Sequence, residues 1–355
     1  MSRFLSKKYQ GLEPYTPGEQ PKKEGLIKLN TNENPYGPSP KVLEAVSRAQ
    51  VSKLMLYPDP EAAELVSEIA DYYGLKKEQV MVGNGSDEIL AFAFMAFQND
   101  KRKVYFPEPS YGFYTVYADL FGMEQTRVPL TEDFRIDPEK YKNSDGTILI
   151  ANPNAPTGIA LNLQDIEDIL QSNRSNLVII DEAYIDFGAK SCVPFLQKYD
   201  NLLIVQTFSK SRSLAGSRVG FALGNPEVIK DLNTIKFSFN PYNLNRLSIL
   251  AAVEAIRDDA YFRSTRDRII KTRETLTEQL KELGFTVLPS CANFIFVKHP
   301  QLSGKAYFTG LRKRNILVRH FEKDLISDFV RITIGKEADM EALVSATEEL
   351  LQKGQ

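Results

Sequence analysis

Lys210 stands just past an apolar run, Leu202-Leu203-Ile204-Val205, in the segment Gln206-Thr207-Phe208-Ser209-Lys210. Carrying an ammonium into a protein interior costs several kcal/mol unless it is paired or chemically changed. Schiff-base formation removes that charge, and a depressed pKa makes the amine nucleophilic. A solvated surface lysine is the plain alternative. Two other polar segments follow apolar runs in the same way. Asp181-Glu182-Ala183-Tyr184 comes after Leu177-Val178-Ile179-Ile180. A carboxylate at a strand end can bind metal, cap a helix, or pair with a cationic ring nitrogen. Gly83-Asn84-Gly85-Ser86-Asp87-Glu88 follows Val80-Met81-Val82 and opens a helical pattern. Glycines let backbone approach an anion, and free N–H groups at a helix start bind phosphate. Glycine turns before helices are common, however, and this one has neither GxxxxGK nor GxGxxG spacing.

The three segments mean more together. A phosphate cradle, an acid for a pyridinium nitrogen and a desolvated lysine are the fixings that pyridoxal phosphate requires. The acid keeps the ring nitrogen protonated, so the ring can accept electrons from a substrate Cα–H bond. Ser209 and Arg218 are further candidate phosphate ligands, and Tyr111, after the run Val104-Tyr105-Phe106, can stack on the ring face.

These residues need elements that converge. Short, continuously apolar runs (80–82, 104–106, 147–150, 177–180, 202–205) alternate with helical patterns (89–97, 114–121, 166–170). Runs without polar alternation belong to a sheet covered on both faces. The alternation predicts an α/β fold with a mostly parallel central sheet, and ligands of such sheets bind outside the carboxyl ends of the strands. Earlier, Leu65, Val66, Ile69 and Tyr72 mark a helix that Gly74 ends as a C-cap. After about residue 243 a long helical region carries Ile249, Val253, Ile269, Leu276 and Leu283. Strand-like pieces at 294–297, 316–318 and 329–334 follow, with a last helix from 340 to 351. The expected organisation is an N-terminal arm, residues 1–29, joining a small α+β domain at 257–355, with a large cofactor domain at 30–256.

The sequence resembles the fold-type-I pyridoxal-phosphate-dependent aminotransferases, and among them the histidinol-phosphate aminotransferase family. The likeness is carried over nearly the whole chain by Leu29-Asn30-Thr31-Asn32-Glu33-Asn34-Pro35, Tyr57-Pro58-Asp59, Gly83 to Glu88 and Pro109-Ser110-Tyr111. It continues through Asn154-Ala155-Pro156-Thr157-Gly158, Asp181 to Tyr184, Thr207 to Lys210, Gly216 to Gly220 and Val330-Arg331-Ile332-Thr333. The resemblance implies that Lys210 joins the cofactor covalently and later moves the proton. It implies that Asp181 pairs with the ring nitrogen and Tyr184 with the ring oxygen. Gly85, Ser86, Ser209 and Arg218 would hold the phosphate, with Tyr111 on the ring and Asp87 among the other cofactor-binding residues. Tyr57 would reach the neighbouring subunit's cofactor, which implies a homodimer. Tyr15, Arg319 and Arg331 would hold the substrate's phosphate, since an arginine fork suits such anions. The implied reaction moves an amino group between glutamate or 2-oxoglutarate and histidinol phosphate or imidazole-acetol phosphate. One position departs from the family: the Asn that usually precedes Pro-Thr-Gly and contacts the ring oxygen is Ala155, with Asn154 its only candidate stand-in.

Composition narrows the alternatives. The 44 Lys and Arg against 46 Asp and Glu, a net charge of -2, provide no field for nucleic acid or an anionic membrane. No run approaches the roughly 18 apolar residues of a membrane span. The start lacks the apolar core of a signal peptide, so the expectation is cytoplasmic. Cys192 and Cys291 are expected to be free thiols. His299 and His320 lie in no metal motif, and no GxSxG serine elbow exists. A broad aromatic aminotransferase and a threonine-phosphate decarboxylase share the expected fold and are the near rivals. A non-catalytic sensor module would need a basic DNA-binding domain, and a nicotinamide dehydrogenase would need GxGxxG.

Overall fold

The computed structural model describes residues 6–9, 11–21, 23–97 and 103–353. Its strands begin with β1 (Ile27–Lys28), β2 (Val80–Gly83), β3 (Lys103–Glu108), β4 (Glu124–Pro129) and β5 (Thr147–Ala151). β6 (Val178–Asp181), β7 (Leu202–Thr207) and β8 (Gly220–Gly224) complete the first set. Towards the C-terminus lie β9 (Thr286–Val287), β10 (Phe294–Lys298), β11 (Ile316–Leu317), β12 (Arg319–His320) and β13 (Val330–Thr333). The helices are α1 (Pro40–Ala45), α2 (Arg48–Val51), α3 (Ala63–Tyr73), α4 (Gly85–Ala96), α5 (Phe113–Phe121) and α6 (Leu163–Ser172). They continue with α7 (Pro226–Phe239), α8 (Arg246–Arg257), α9 (Asp259–Glu282), α10 (Gly304–Lys313) and α11 (Glu337–Lys353).

A seven-stranded sheet, ordered β2-β8-β7-β6-β5-β3-β4, forms the centre. Strands β7, β6, β5, β3 and β4 run parallel. β8 is antiparallel to both β7 and β2, so the sheet is mostly rather than wholly parallel. Every residue of β5, β6 and β7 is buried. Alternate side chains enter opposite layers. Ile148, Ile150, Val178, Ile180, Leu202 and Ile204 join one core cluster, and Leu149, Ile179, Leu203 and Val205 the other. The sheet is covered on both faces, as its unbroken apolar runs require.

Two of its strands were not legible as apolar runs. β4 is a polar edge strand with one buried residue, Val128. β8 is a short run bounded by glycines, with one partner, β7, near in sequence and the other, β2, far off. Its register positions the site: Gly220 pairs with both Gly83 and Thr207, which brings the carboxyl ends of β2 and β7 together around it. The long helical region is two helices rather than one, broken at Asp258, whose carboxylate accepts from the Tyr261 N–H at 3.5 Å and starts α9. Helices α7 and α10 also went unread.

A smaller antiparallel sheet, β12-β13-β10-β9, packs against α9, α10 and α11. Its core includes Ile269, Leu276, Ile295, Val330, Ile332 and Leu343, and also Leu29, Tyr36 and Phe187 from elsewhere in the chain. β1 pairs in parallel with β11, tying the end of the N-terminal arm to this unit. Beyond β1, the Thr333 N–H donates to the Leu29 carbonyl at 3.0 Å and Arg331 Nη2 to the Asn30 carbonyl at 2.9 Å. Residues 29–32 are thereby laid along β13. No helix among the described residues is long and apolar enough to cross a membrane.

Candidate active site

The carboxyl ends of β2, β6 and β7 open on a cavity of about 300 Å³. Lys210, five residues beyond the buried valine of β7, turns its amine into it. Among the described residues Nζ hydrogen-bonds to the Thr31 carbonyl, at 3.4 Å, and it lies 5.7 Å from the centre of the Tyr184 ring. The loop that carries it is held by Asn34, whose side-chain amide donates to the Lys210 and Ser211 carbonyls at 3.2 and 3.1 Å.

Asp181 ends β6 and is 5% exposed. It accepts hydrogen bonds from the Tyr114 hydroxyl at 2.7 Å and the Ala183 N–H at 3.1 Å. Burial raises its pKa to about 6 despite both donors. Among the described residues no cation is bonded to it, so this is a buried acid short of a positive partner. Tyr114, on α5, was not foreseen: an apolar-looking helical tyrosine carries no sign of which carboxylate it will meet. Neighbouring Glu182 faces away from the cavity, accepting from Cys192 N, Ser191 Oγ and Gln206 Nε2 at 2.7 to 2.8 Å.

The anion cradle assembles from three elements. Gly85 opens α4 at φ +83°, where L side chains rarely sit. A Cβ there would lie 2.5 Å from Arg218 Nη2. A Cβ at Gly220 would lie 2.5 Å from the Ser86 nitrogen, so this glycine lets β8 approach the helix start. Arg218 donates to Ser209 Oγ at 3.3 Å and to the Asp87 carboxylate at 3.0 Å. Asp87 also accepts from the Tyr111 hydroxyl at 3.0 Å. Ser86, Asp87, Tyr111, Ser209 and Arg218 all border the cavity. Gly85 does so only through its fit against Arg218.

A second cationic group meets the same cavity. Arg331, on β13, is half-buried, and desolvation pulls its guanidinium below the usual arginine range. Its Nη2 is bound to Asn30, while among the described residues its buried Nε has no hydrogen-bond partner. Arg319 donates to the Thr16 carbonyl at 3.5 Å. Tyr15 stacks on Phe113 at 4.2 Å, and burial raises its hydroxyl pKa. All three border the cavity, so residues some 300 apart in sequence share one wall.

One expected residue, Asn154, is not there, and Tyr57, expected at the neighbouring subunit's site, lies outside this cavity. Asn154 is buried away from the cavity: its carbonyl accepts from Ser110 Oγ at 2.7 Å, and its amide donates to the Pro109 carbonyl at 3.1 Å and to Thr157 at 3.3 Å. Local loop geometry consumes the whole side chain, and the apolar Ala155 faces the cavity instead. Tyr57 is 78% exposed and stacks on Tyr242 at 4.5 Å, outside this chain's cavity. Conversely Thr31 and Asn32 border the cavity. They lie in the motif at 29–35, but nothing in their types announces a role.

The residues fit pyridoxal phosphate. A buried acid without a bonded cation suits a protonated ring nitrogen, the Gly85–Arg218 cradle leaves donors for a phosphate, and Lys210 turns its amine into the same cavity. The Aminotransferase class I and II family model matches residues 24–346. A histidinol-phosphate aminotransferase of Brachyspira hyodysenteriae is 51% identical over 353 residues, which cover 99% of this chain and 100% of the relative. The structure of the histidinol-phosphate aminotransferase from Clostridium acetobutylicum superposes with a TM-score of 0.85 at 28% identity, over 92% of this chain and 100% of the other. That of the Sinorhizobium meliloti enzyme, solved with pyridoxal-5'-phosphate, matches in fold with a TM-score of 0.88 at 23% identity, over 99% of each chain. With its lysine, buried acid and anion cradle at the ends of one sheet, the chain belongs to the class I and II aminotransferases, in the histidinol-phosphate aminotransferase family.

Proposed function

We propose that the chain transfers an amino group between glutamate or 2-oxoglutarate and histidinol phosphate or imidazole-acetol phosphate, one substrate leaving before the next enters. The observation that carries this is the pairing of Arg331 and Arg319 with Tyr15 on the cavity that holds Lys210. The free Nε of a desolvated guanidinium is a ready donor for an anionic oxygen. Pyridoxal phosphate, when bound, supplies a carbonyl carbon to carry the amine and a ring that draws electrons from the substrate's Cα.

The chain's own residues do the rest. Asp181 stays anionic beside a ring cation and holds the proton on the ring nitrogen. Tyr184 donates to the ring oxygen. Lys210 Nζ, which faces the cavity, would take the proton from the substrate's Cα and hold it for return. Ser86, Ser209, Arg218 and the first N–H groups of α4 anchor the phosphate. Arg331, Arg319 and Tyr15 anchor the substrate's own phosphate, and the acidic partner substrate uses the same arginines for its carboxylate.

The reading includes a homodimer in which Tyr57 reaches the partner's cofactor. Val51, Leu54, Met55 and Leu56 lead up to it, all about half exposed or more, and Phe239 beside Tyr242 is 67% exposed. A cluster of that kind suits a second copy better than water. The division into an arm at 1–29, a cofactor domain at 30–256 and a small domain at 257–355 belongs to the same proposal, supported by the separate cores of the two sheets, with Tyr36 and Phe187 crossing into the small one. So does a cytoplasmic location, which suits two free thiols.

The test is a comparison of kcat/KM for histidinol phosphate, phenylalanine and tyrosine, each with 2-oxoglutarate. Histidinol phosphate should lead by at least about tenfold, a single charge-assisted contact's worth. A preference for phenylalanine would reassign the enzyme as an aromatic aminotransferase, and CO₂ release from threonine phosphate as a decarboxylase.

A further inference from the structure

Ala155 leaves the cofactor's ring oxygen without the amide donor that the resemblance leads one to expect, and Asn154 does not replace it. The hydrogen bonds around Tyr184 point to a different solution. Asn32 is 1% exposed, sits in the left-handed region at φ +56°, and borders the cavity. Asparagine tolerates that backbone better than most side chains. Its backbone N–H donates to Thr333 Oγ1 at 3.0 Å, and the Asn293 amide donates to its carbonyl at 3.0 Å. The residue is thus pinned from both sides.

Counting protons orients its side chain. Thr333 Oγ1 already accepts from the Asn32 N–H, and it donates its own proton to Asn32 Oδ1 at 3.0 Å. The Asn32 Nδ2 end must therefore face the other way. It donates to the Tyr184 hydroxyl oxygen at 3.0 Å. A tyrosine hydroxyl has one proton. With its oxygen already accepting from Asn32, that proton is directed into the cavity rather than back toward Asn32. A chain of hydrogen bonds running one way also polarises each member.

We infer that Asn32 is a positioning residue for the transamination: oriented by Thr333, it fixes the Tyr184 proton toward the cofactor's ring oxygen and makes up for the donor missing at Ala155. The inference rests on Tyr184 being the ring-oxygen donor. It also links two parts of the molecule, since Thr333 belongs to β13 of the small sheet and Tyr184 follows β6 of the large one.

The experiment reads the pH midpoint of the visible absorption change of cofactor bound to the whole enzyme, together with the cofactor's dissociation constant. A donor on the ring oxygen favours the deprotonated chromophore, in which that oxygen carries more charge. Asn32→Gly removes the amide and suits the backbone angle. It should raise the midpoint by about one unit, the scale of one hydrogen bond to a charged group. Asn32→Asp should raise it as well, because a carboxylate draws the Tyr184 proton to itself. Thr333→Val should give a smaller rise, and Thr333→Ser none. Tyr184→Phe should raise the midpoint more, and adding Asn32→Gly to it should change nothing further. An unmoved midpoint in Asn32→Gly, or additive shifts in the double variant, would overturn the inference while leaving the site reading intact. An unmoved midpoint in Tyr184→Phe would overturn both.

Discussion

Asp181 and Glu182 are adjacent carboxyls, both buried, with pKa values raised by desolvation to about 6 and about 7. Unfolded, each would titrate near 4. Between those values the folded chain binds more protons than the unfolded one, so its stability falls as pH rises from about 4 to about 7. The cofactor-free chain should therefore show a lower urea midpoint at pH 7 than at pH 5. Glu182→Gln should flatten the upper part of that fall. Bound pyridoxal phosphate should remove the Asp181 part, because a ring cation beside it favours its ionised form. A urea midpoint that instead climbed over this range would contradict the burial argument. Arg331 allows a second residue-scale test. Arg331→Lys keeps the charge but loses the planar fork. The expected result is a roughly 10- to 100-fold loss in kcat/KM for the phosphorylated substrate, the scale of one or two charge-assisted hydrogen bonds. An equal loss for an unphosphorylated aromatic substrate would mean that Arg331 acts through the fold rather than through the phosphate.

Among the elements, the contact of β8 with the start of α4 is the one the anion cradle depends on. Gly220 provides it, with the Ser86 nitrogen where a Cβ would be and the Gln206 carbonyl 3.1 Å from the same point. Both are backbone atoms, which cannot rotate aside. Gly220→Ala should therefore push the helix start away from β8. The expected cost is about 1–3 kcal/mol of stability, typical of overpacking, read as a lower denaturant midpoint. Because Ser86 moves with the helix, cofactor affinity should fall too, measured by fluorescence titration. Gly216→Ala, with nothing within 4 Å of its Cβ, is the matched control and should change neither.

At the scale of the molecule, one chain leaves an apolar patch in water. Met55 is 87% exposed and Tyr57 78%. Met55→Glu should put a charge into any interface formed there and raise the dimer dissociation constant tenfold or more, the effect of a single interfacial hot spot. Sedimentation velocity would register the monomer. Activity should fall with dilution in step with dissociation and return at high protein concentration, because Tyr57 serves the partner's site. A Met55→Glu enzyme that remained fully active as a monomer would exclude that arrangement.

Local chemistry and periodicity were enough to reach the lysine, the acid, the cradle and the covered parallel sheet. Each is a short-range signal: Lys210 lies a few residues past a buried strand, and strands without alternation need cover on both faces. The tertiary structure decided what depends on distant partners. It turned Asn154 into its own loop, set Tyr114 on Asp181, and used β8, whose antiparallel pairing no local signal announces, to bring β2 and β7 together. It also laid residues 29–32 along β13, which put Thr31 beside Lys210 and Asn32 on Tyr184. Hydrogen-bond direction and desolvation are properties of neighbours, and these neighbours lie up to 301 residues apart. No window of sequence contains both members of such a pair, so residue types could nominate the chemistry while only the folded chain could aim it.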